Sequence, residues 1–318
     1  MYILYIGNFL SNNGPSMVDK SLVNISNTIY PLQATTKLIS FSDLKAILKC
    51  DICHVSAVST LGLILAFVCK SLGKKITFTM HGTLKAERKF RKISPHRLFV
   101  ESMLVHLSNK IFVVSDKLSK IVKSLYNSIN SKLITIPNGV TCTTATNIQK
   151  KPNTIVCIGG GRKEKRVLDV CKAVYKLNSK GEKIKINVFG EDSLDTKDIK
   201  KYDFVHYYGF VPQEILLSML AESYLFIQYS EYEPFSLSIF DAIVSNCNII
   251  TSDNVGAIDY LTKADLHKIS IVKDINELTS EIERQLASSI ASYSNYENLS
   301  WENTYHLYMK NWDLIKNA

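Results

Sequence analysis

Short apolar runs recur along the first 140 residues, each closed by a turn, with stretches of helical periodicity between them. Residues 2–6 form the first run and end at Gly7. After a polar loop containing Asn13, Gly14 and Pro15, residues 17–29 place Val18, Leu22, Ile25 and Ile29 at helical spacing. Further strands are predicted over residues 38–41, 52–58, 75–80, 111–114 and 132–136. Helices fit between them, one opening at Ser94 with Pro95 in its first position and another after Ser115. Residues 141–153 are polar, aperiodic and end in Lys150-Lys151-Pro152-Asn153. The alternation then restarts, with strands predicted over 154–158, 184–189, 204–207, 224–229 and 248–251 and helices over 275–291 and 301–315. Strands separated by helical crossovers predict parallel sheets. The expected fold class is therefore α/β: two Rossmann-like, doubly wound domains facing across a cleft at the carboxyl ends of their strands. The expected boundaries are 1–142 for the first domain, 143–153 for a linker, 154–300 for the second domain, and 301–318 for a final helix.

Size agrees with two domains, since 318 residues exceed one core and divide into units of about 150. A hydrophobic fraction of 46% and a charged fraction of 21% belong to an ordinary globular chain. The best apolar run, 61–68, stops at Cys69-Lys70, well short of the roughly 18–20 residues that cross a bilayer. The N-terminal MYILYIGNFL lacks a basic flank and a small-residue cleavage site, so it reads as a strand and a cytoplasmic location is expected. Seven scattered cysteines fit reduced thiols. A net charge of +9 favours anionic partners without choosing among phosphates, lipid headgroups and nucleic acid.

Three segments of the second half carry candidate chemistry. Cys157-Ile158-Gly159-Gly160-Gly161 leads a strand into a basic turn, Arg162 to Arg166. Glycines let a backbone approach a phosphate, and a helix start favours negative charge; the same run also fits an ordinary basic β-α turn. Glu233-Pro234-Phe235-Ser236-Leu237-Ser238-Ile239-Phe240-Asp241 sets one carboxylate before a helix and another eight residues on, near the azimuth of the helix start. Acids and first-turn amides so placed suit the hydroxyls and phosphates of a nucleotide sugar, although a capping acid and an unrelated surface aspartate give the same pattern. Asn254-Val255-Gly256 opens one more helix and says little alone.

Taken in order, the segments resemble family 4 of the GT-B glycosyltransferases. His206-Tyr207-Tyr208-Gly209-Phe210-Val211, Ser230, Glu233, Phe235, Leu237, Asp241-Ala242 and Gly256 resemble that family's C-terminal half. Asp51-Ile52-Cys53-His54-Val55, Phe78-Thr79-Met80-His81-Gly82, Val113-Val114-Ser115, Ile136-Pro137-Asn138-Gly139-Val140 and Trp301-Glu302 are similar to its other signatures, so nearly the whole chain is covered. The resemblance implies a retaining, metal-independent enzyme that moves a sugar from a nucleotide-sugar donor to a glycan or polyprenyl-linked acceptor, as in bacterial polysaccharide or lipopolysaccharide synthesis. It implies that Glu233 contacts the donor sugar, that Asp241 binds the ribose hydroxyls, and that Arg162 and Lys165 hold the diphosphate with amides around Phe235, Ser236 and Leu237. His81 would sit at the reaction centre, Gly14 in the loop after the first strand, and the final helix would cross back to the first domain. The chain departs from the family at Asp241 and Asp259, where glutamate is usual, at Ser236 and Arg166, where glycine is usual, and in the single glycine of the Gly14 loop. The gap from Arg162 is also short, so Lys163 or Arg166 is an alternative to Lys165.

No cofactor or metal is expected: the chain has no Asp-x-Asp, and no second Cys/His pair lies at zinc-ligand spacing. Cys50-Asp51-Ile52-Cys53-His54 matches the pattern for covalent haem, but attachment requires export and the segment reads as a helix end and a buried strand. Residues 85–97 carry Lys85, Arg88, Lys89, Arg91, Lys92 and Arg97 against Glu87, ahead of an amphipathic helix. This is either a solvated face or a dock for an anionic membrane at the inner face of the cell. No nucleic-acid-binding module is recognised. A catalytically silent scaffold, and an epimerase or hydrolase on the same fold, remain as alternative functions.

Overall fold

The computed structural model describes residues 1–11, 13–127, 129–141 and 148–317. The chain forms two compact units, Met1–Val140 with Glu297–Ala318, and Thr141–Tyr296.

The first unit runs β1 (Ile3–Gly7), α1 (Gly14–Asn24), β2 (Ile29–Gln33), α2 (Phe41–Lys49), β3 (Ile52–Val55), α3 (Thr60–Ser71), β4 (Lys75–Met80), α4 (Leu84–Glu87), α5 (Pro95–Leu107), β5 (Lys110–Val113), α6 (Asp116–Leu125) and β6 (Leu133–Thr135). Its sheet has the order β2-β1-β3-β4-β5-β6, with every neighbouring pair parallel. Helices cover both faces of such a sheet, so central strands read as unbroken apolar runs; all five residues of β1 are buried. Serine side chains end the approach to four helices: Ser40, Ser59, Ser94 and Ser115 each accept an amide of the first turn of α2, α3, α5 and α6.

Two expectations fail here. Residues 38–41 form no strand: Leu38 and Phe41 are 84% and 85% exposed, and Ser40 caps α2 in a reciprocal box with Asp43. The second strand instead lies at Ile29–Gln33 and contains Pro31. An edge strand with one partner, β1, tolerates that proline because one side of its backbone has no ladder to supply. The helix predicted over 17–29 accordingly stops at Asn24.

The second unit runs β7 (Lys151–Ile158), α7 (Val167–Asn178), β8 (Lys185–Phe189), α8 (Thr196–Ile199), β9 (Val205–Gly209), α9 (Gln213–Glu222), β10 (Ser223–Gln228), α10 (Leu237–Val244), β11 (Asn248–Ser252), α11 (Lys263–Leu266), β12 (Ser270–Val272) and α12 (Ile275–Ala287). Its parallel sheet has the order β12-β11-β10-β7-β8-β9. β7 starts at Lys151, so the strand takes in the end of the stretch expected as a linker; residues 142–147 lie outside the described residues.

The last helix, α13 (Trp301–Lys316), belongs to the first unit. Tyr308, Trp312 and Ile315 enter its core with Ile3, Tyr5 and Phe112. Trp312 Nε1 donates to Thr77 Oγ1 at 3.2 Å, and Thr304 Oγ1 donates to the Pro137 carbonyl at 3.1 Å. A Cβ on Gly139 would lie 2.4 Å from the Trp301 ring, which explains a glycine at that point.

Cys50, Cys53 and His54, which formed the haem-like pattern, are all fully buried in this core. His54 stacks near Tyr5, Phe112 and Trp312, with Nδ1 2.9 Å from Thr77 Oγ1 and Nε2 3.2 Å from Thr79 Oγ1. Burial pushes its pKa down to about 3, with Asp19 opposing and His81 adding to the effect. Between that value and the unfolded value near 6.5 the unfolded chain binds the extra proton, so stability falls as pH falls. Urea unfolding should show a loss of about 1–2 kcal/mol between about pH 6.5 and pH 5, and this slope should shrink in His54→Gln. An unchanged slope in the variant would assign the acid sensitivity to other groups.

Candidate functional site

In the second unit, β7 delivers the chain into Gly159 and Gly160, which hold φ values of 141° and 58° that side chains resist. Their two amides both donate to the Phe189 carbonyl at 2.8 Å. A Cβ on Gly160 would lie 2.2 Å from the Glu191 carbonyl, and one on Gly159 2.5 Å from the stem of Lys165. These glycines therefore serve close packing of the turn on its own unit, including room for Lys165.

Residues 163–165 make one 3-10 turn, and Arg166 follows in the left-handed region at φ 54°. This is a position where the resemblance expects glycine. The Arg166 guanidinium lies 3.9 Å over the Tyr229 ring and pairs with Asp169 at 3.1 Å, so it is committed locally. Lys163 is exposed. Lys165 is buried, and its ammonium forms an ion pair with the Glu233 carboxylate, itself only 14% exposed. Arg162 is more open, at 40%; its Nε donates to the Gly159 carbonyl at 3.3 Å and its Nη1 lies 3.8 Å from Glu164.

Glu233 is held from the other side too, since its carbonyl accepts the Gly256 amide at 2.9 Å. The Glu231 amide donates to the Glu164 carbonyl at 2.8 Å, tying this loop to the basic turn. Phe235 turns its ring into the core against Phe240 and Tyr260, and its carbonyl accepts the Ala257 amide. Ser236 then opens α10 at φ 84°, ψ 91°, a second left-handed residue where glycine is expected. Its hydroxyl reaches Gln228 Oε1 at 3.4 Å and does not cap the helix. Among the described residues, nothing from outside α10 accepts a hydrogen bond from the amides of Leu237, Ser238 or Ile239.

Asp241 sits on the same helix, and no hydrogen bond or ion pair reaches its carboxylate among the described residues. The residue is partly exposed, and desolvation by the surrounding protein pushes its carboxyl pKa up to about 7. The structure thus joins Lys165 to Glu233 directly and leaves Arg162 and Asp241 outside that pair.

The first unit holds a second polar cluster, at the carboxyl ends of β1, β3 and β4. Asp19, fully buried on α1, accepts the Tyr5 hydroxyl at 2.8 Å, the Ser56 hydroxyl at 2.5 Å and the Asn8 amide at 2.9 Å. Ser56 Oγ also lies 2.9 Å from His81 Nε2, which is 3.8 Å from Asp19. Burial would raise the Asp19 carboxyl, but His81, Ser56 and the Asn8 amide hold it below its ordinary value. Since Ser56 gives its proton to Asp19, His81 Nε2 must donate to Ser56, which leaves Nδ1 as an acceptor in the neutral ring. Nδ1 is buried and has no partner among the described residues. Gly14 begins α1 behind the cap Asn13, and a Cβ there would meet nothing within 4 Å, so no close approach demands its glycine.

Asp19 and Ser56 escape sequence reasoning. The one available signal was an acid on the inward face of α1, in line with the buried Ser16 and Leu22. Among the described residues, no group of three or more His, Cys, Asp or Glu side chains is placed to hold a metal ion.

Two family models match the chain: "Glycosyltransferase Family 4" over residues 18–144 and "Glycosyl transferases group 1" over residues 143–299. No curated protein matches the sequence. Among solved structures, Anabaena HepE in complex with UDP and glucose is similar at a TM-score of 0.74 and 12% identity, covering 99% of this chain and 100% of that one. Sucrose-phosphate synthase from Thermosynechococcus elongatus matches at 0.75 and 13% identity, with 99% of each chain covered. WaaG, a glycosyltransferase involved in lipopolysaccharide biosynthesis, matches at 0.67 and 12% identity over 99% of this chain and 100% of that one. The structural likenesses establish the fold, and the family models together span residues 18–299 in order. The chain belongs to the group 1, family 4 glycosyltransferases of the GT-B fold.

Proposed function

We propose that the enzyme transfers a sugar, with retention and without a metal, from a nucleotide-sugar donor to a glycan or lipid-linked acceptor of a bacterial surface polysaccharide. The observation that carries this reading is the Lys165–Glu233 pair, which directly precedes a helix whose first amides are uncapped and whose Asp241 has no partner among the described residues. A nucleoside diphosphate supplies what each of these groups lacks. Its phosphates accept from the amides of Leu237, Ser238 and Ile239 at the positive end of α10. Its ribose hydroxyls donate to Asp241, and its negative charge draws Arg162 and competes with Glu233 for Lys165. Glu233, released from Lys165, turns to the sugar.

In the transfer step the bond from the sugar's anomeric carbon to the phosphate oxygen breaks, and an acceptor hydroxyl oxygen bonds to that carbon on the same face. The hydroxyl proton passes to the departing phosphate, whose charge Arg162 and Lys165 stabilise. On the first unit, the Nδ1 of His81, an acceptor in the neutral ring, offers a hydrogen-bond partner to a sugar hydroxyl. A lipid-linked acceptor draws support from the similarity to WaaG, a glycosyltransferase involved in lipopolysaccharide biosynthesis.

Nucleotide release from a panel of nucleotide sugars tests the reading. Release that requires acceptor supports transfer, release without acceptor supports a hydrolase, and no turnover of any donor supports a silent scaffold. Arg162→Ala should lower turnover by about 100-fold or more, as when a main electrostatic donor is lost; turnover within a few fold of wild type would remove that role. Hydroxyls bind the carboxylate form of Asp241, so affinity for a nucleoside diphosphate should rise between about pH 6 and pH 8, through the pKa near 7. Calorimetry on Asp241→Asn should give weaker binding without that rise, and a flat wild-type profile would contradict the contact. Ser236→Gly should raise stability by about 1 kcal/mol by relieving the left-handed serine, with turnover retained because α10 offers backbone amides. A large loss of turnover would instead assign the serine hydroxyl a contact of its own.

A further inference from the structure

The first unit carries a second hydrophobic face that its core does not use. On α2, Ala46 and Ile47 are buried, while Phe41, Leu44 and Leu48 form an outward stripe at helical spacing, 85%, 49% and 60% exposed. On α3, the buried side is Gly62, Leu63, Leu65, Ala66 and Cys69, and the outward side is Ile64, Phe67 and Val68, 53%, 46% and 40% exposed. α2 packs on α3 and α3 on α5, so the two stripes are neighbours on one layer of the unit. A helix that is apolar on all sides normally lies inside a protein or a membrane. Contiguous exposed apolar surface of this kind marks a partner.

The charges around the stripes say which partner. Residues 34–75 contain six lysines and two aspartates. Both acids are engaged: Asp43 in the capping box with Ser40, and Asp51 with the Tyr2 amide and with Lys316 at 3.2 Å. Lys37, Lys45, Lys49 and Lys70 are exposed around the apolar stripes. The basic run singled out from the sequence adjoins the same layer, because Thr60 at the start of α3 lies 2.9 Å from His96 Nε2 at the start of α5. Part of that run is tied down: Lys85 lies 3.6 Å over the Tyr126 ring and Arg91 pairs with Glu87, which leaves Arg88, Lys89, Lys92 and Arg97 exposed. Self-pairing of this face about a two-fold axis would set lysines against lysines in a chain of net charge +9. An anionic lipid surface takes both features at once, the stripes entering the boundary of headgroup and acyl chain and the lysines resting on the headgroups.

We infer that the outward face of α2 and α3, rather than residues 85–97 alone, is a docking surface for an anionic lipid bilayer. No helix among the described residues is long and apolar enough to cross a membrane, so the contact lies in the plane of the surface. This inference stands apart from the catalytic reading, because docking needs no substrate.

Flotation of the whole chain with vesicles of phosphatidylcholine alone, and with about one third phosphatidylglycerol, tests it. The protein should float with the anionic vesicles, and partitioning should fall with salt. Phe41→Ser with Phe67→Ser should lower partitioning by about tenfold or more, as should Lys45→Glu with Lys49→Glu. All four side chains are exposed, and an unchanged urea midpoint confirms that the variants are folded. Failure to float, or flotation that both double variants leave intact, would overturn the assignment. Light scattering that finds a dimer broken by Phe67→Ser, without vesicle binding, would overturn it in favour of a second copy.

Discussion

The second unit is organised around one buried ion pair, Lys165 with Glu233. Neither charge can be left alone in so enclosed a place, and removing one partner from such a pair costs about 3–5 kcal/mol. The pair therefore binds the glycine turn after β7 to the loop before α10, and the Glu231 amide on the Glu164 carbonyl repeats the tie in the backbone. Gly159 is part of the same constraint, because any side chain there would occupy the stem of Lys165. Among the described cations of the basic turn, Arg166 is committed to Tyr229 and Asp169, whereas Lys165, Arg162 and the exposed Lys163 are placed for an arriving anion to redirect.

Much of the fold was legible because its rules are local. Runs such as Lys75–Met80 announce strands buried on both faces, and serines at 94 and 115 mark helix starts that the structure places at those residues. The error at 38–41 has a physical cause: exposed Leu38 and Phe41 imitate a buried strand, whereas the true edge strand is disguised by Pro31. Periodicity cannot tell an apolar residue that faces the core from one that faces outward, and this unit uses both.

The candidate site was legible only in part. Glu233, Asp241, Arg162 and Lys165 could be picked from spacing and resemblance, but not the bond between Lys165 and Glu233, which joins residues far apart in sequence. Asp19 and Ser56 were invisible for the same reason, since they meet His81 only after three strands of the sheet are assembled. The departures at Ser236 and Arg166 gained meaning from the backbone: both occupy left-handed positions that glycine would fill without strain, so substitution changed the side chain and kept the path of the chain.

A crystal structure with the nucleoside diphosphate that most stabilises the protein in a thermal-shift panel tests the central claim most directly. In that complex the Lys165 ammonium should leave Glu233 for a phosphate oxygen, with Arg162 on the same diphosphate and the α10 amides donating to it. A diphosphate bound elsewhere, with Lys165 still on Glu233, would contradict it.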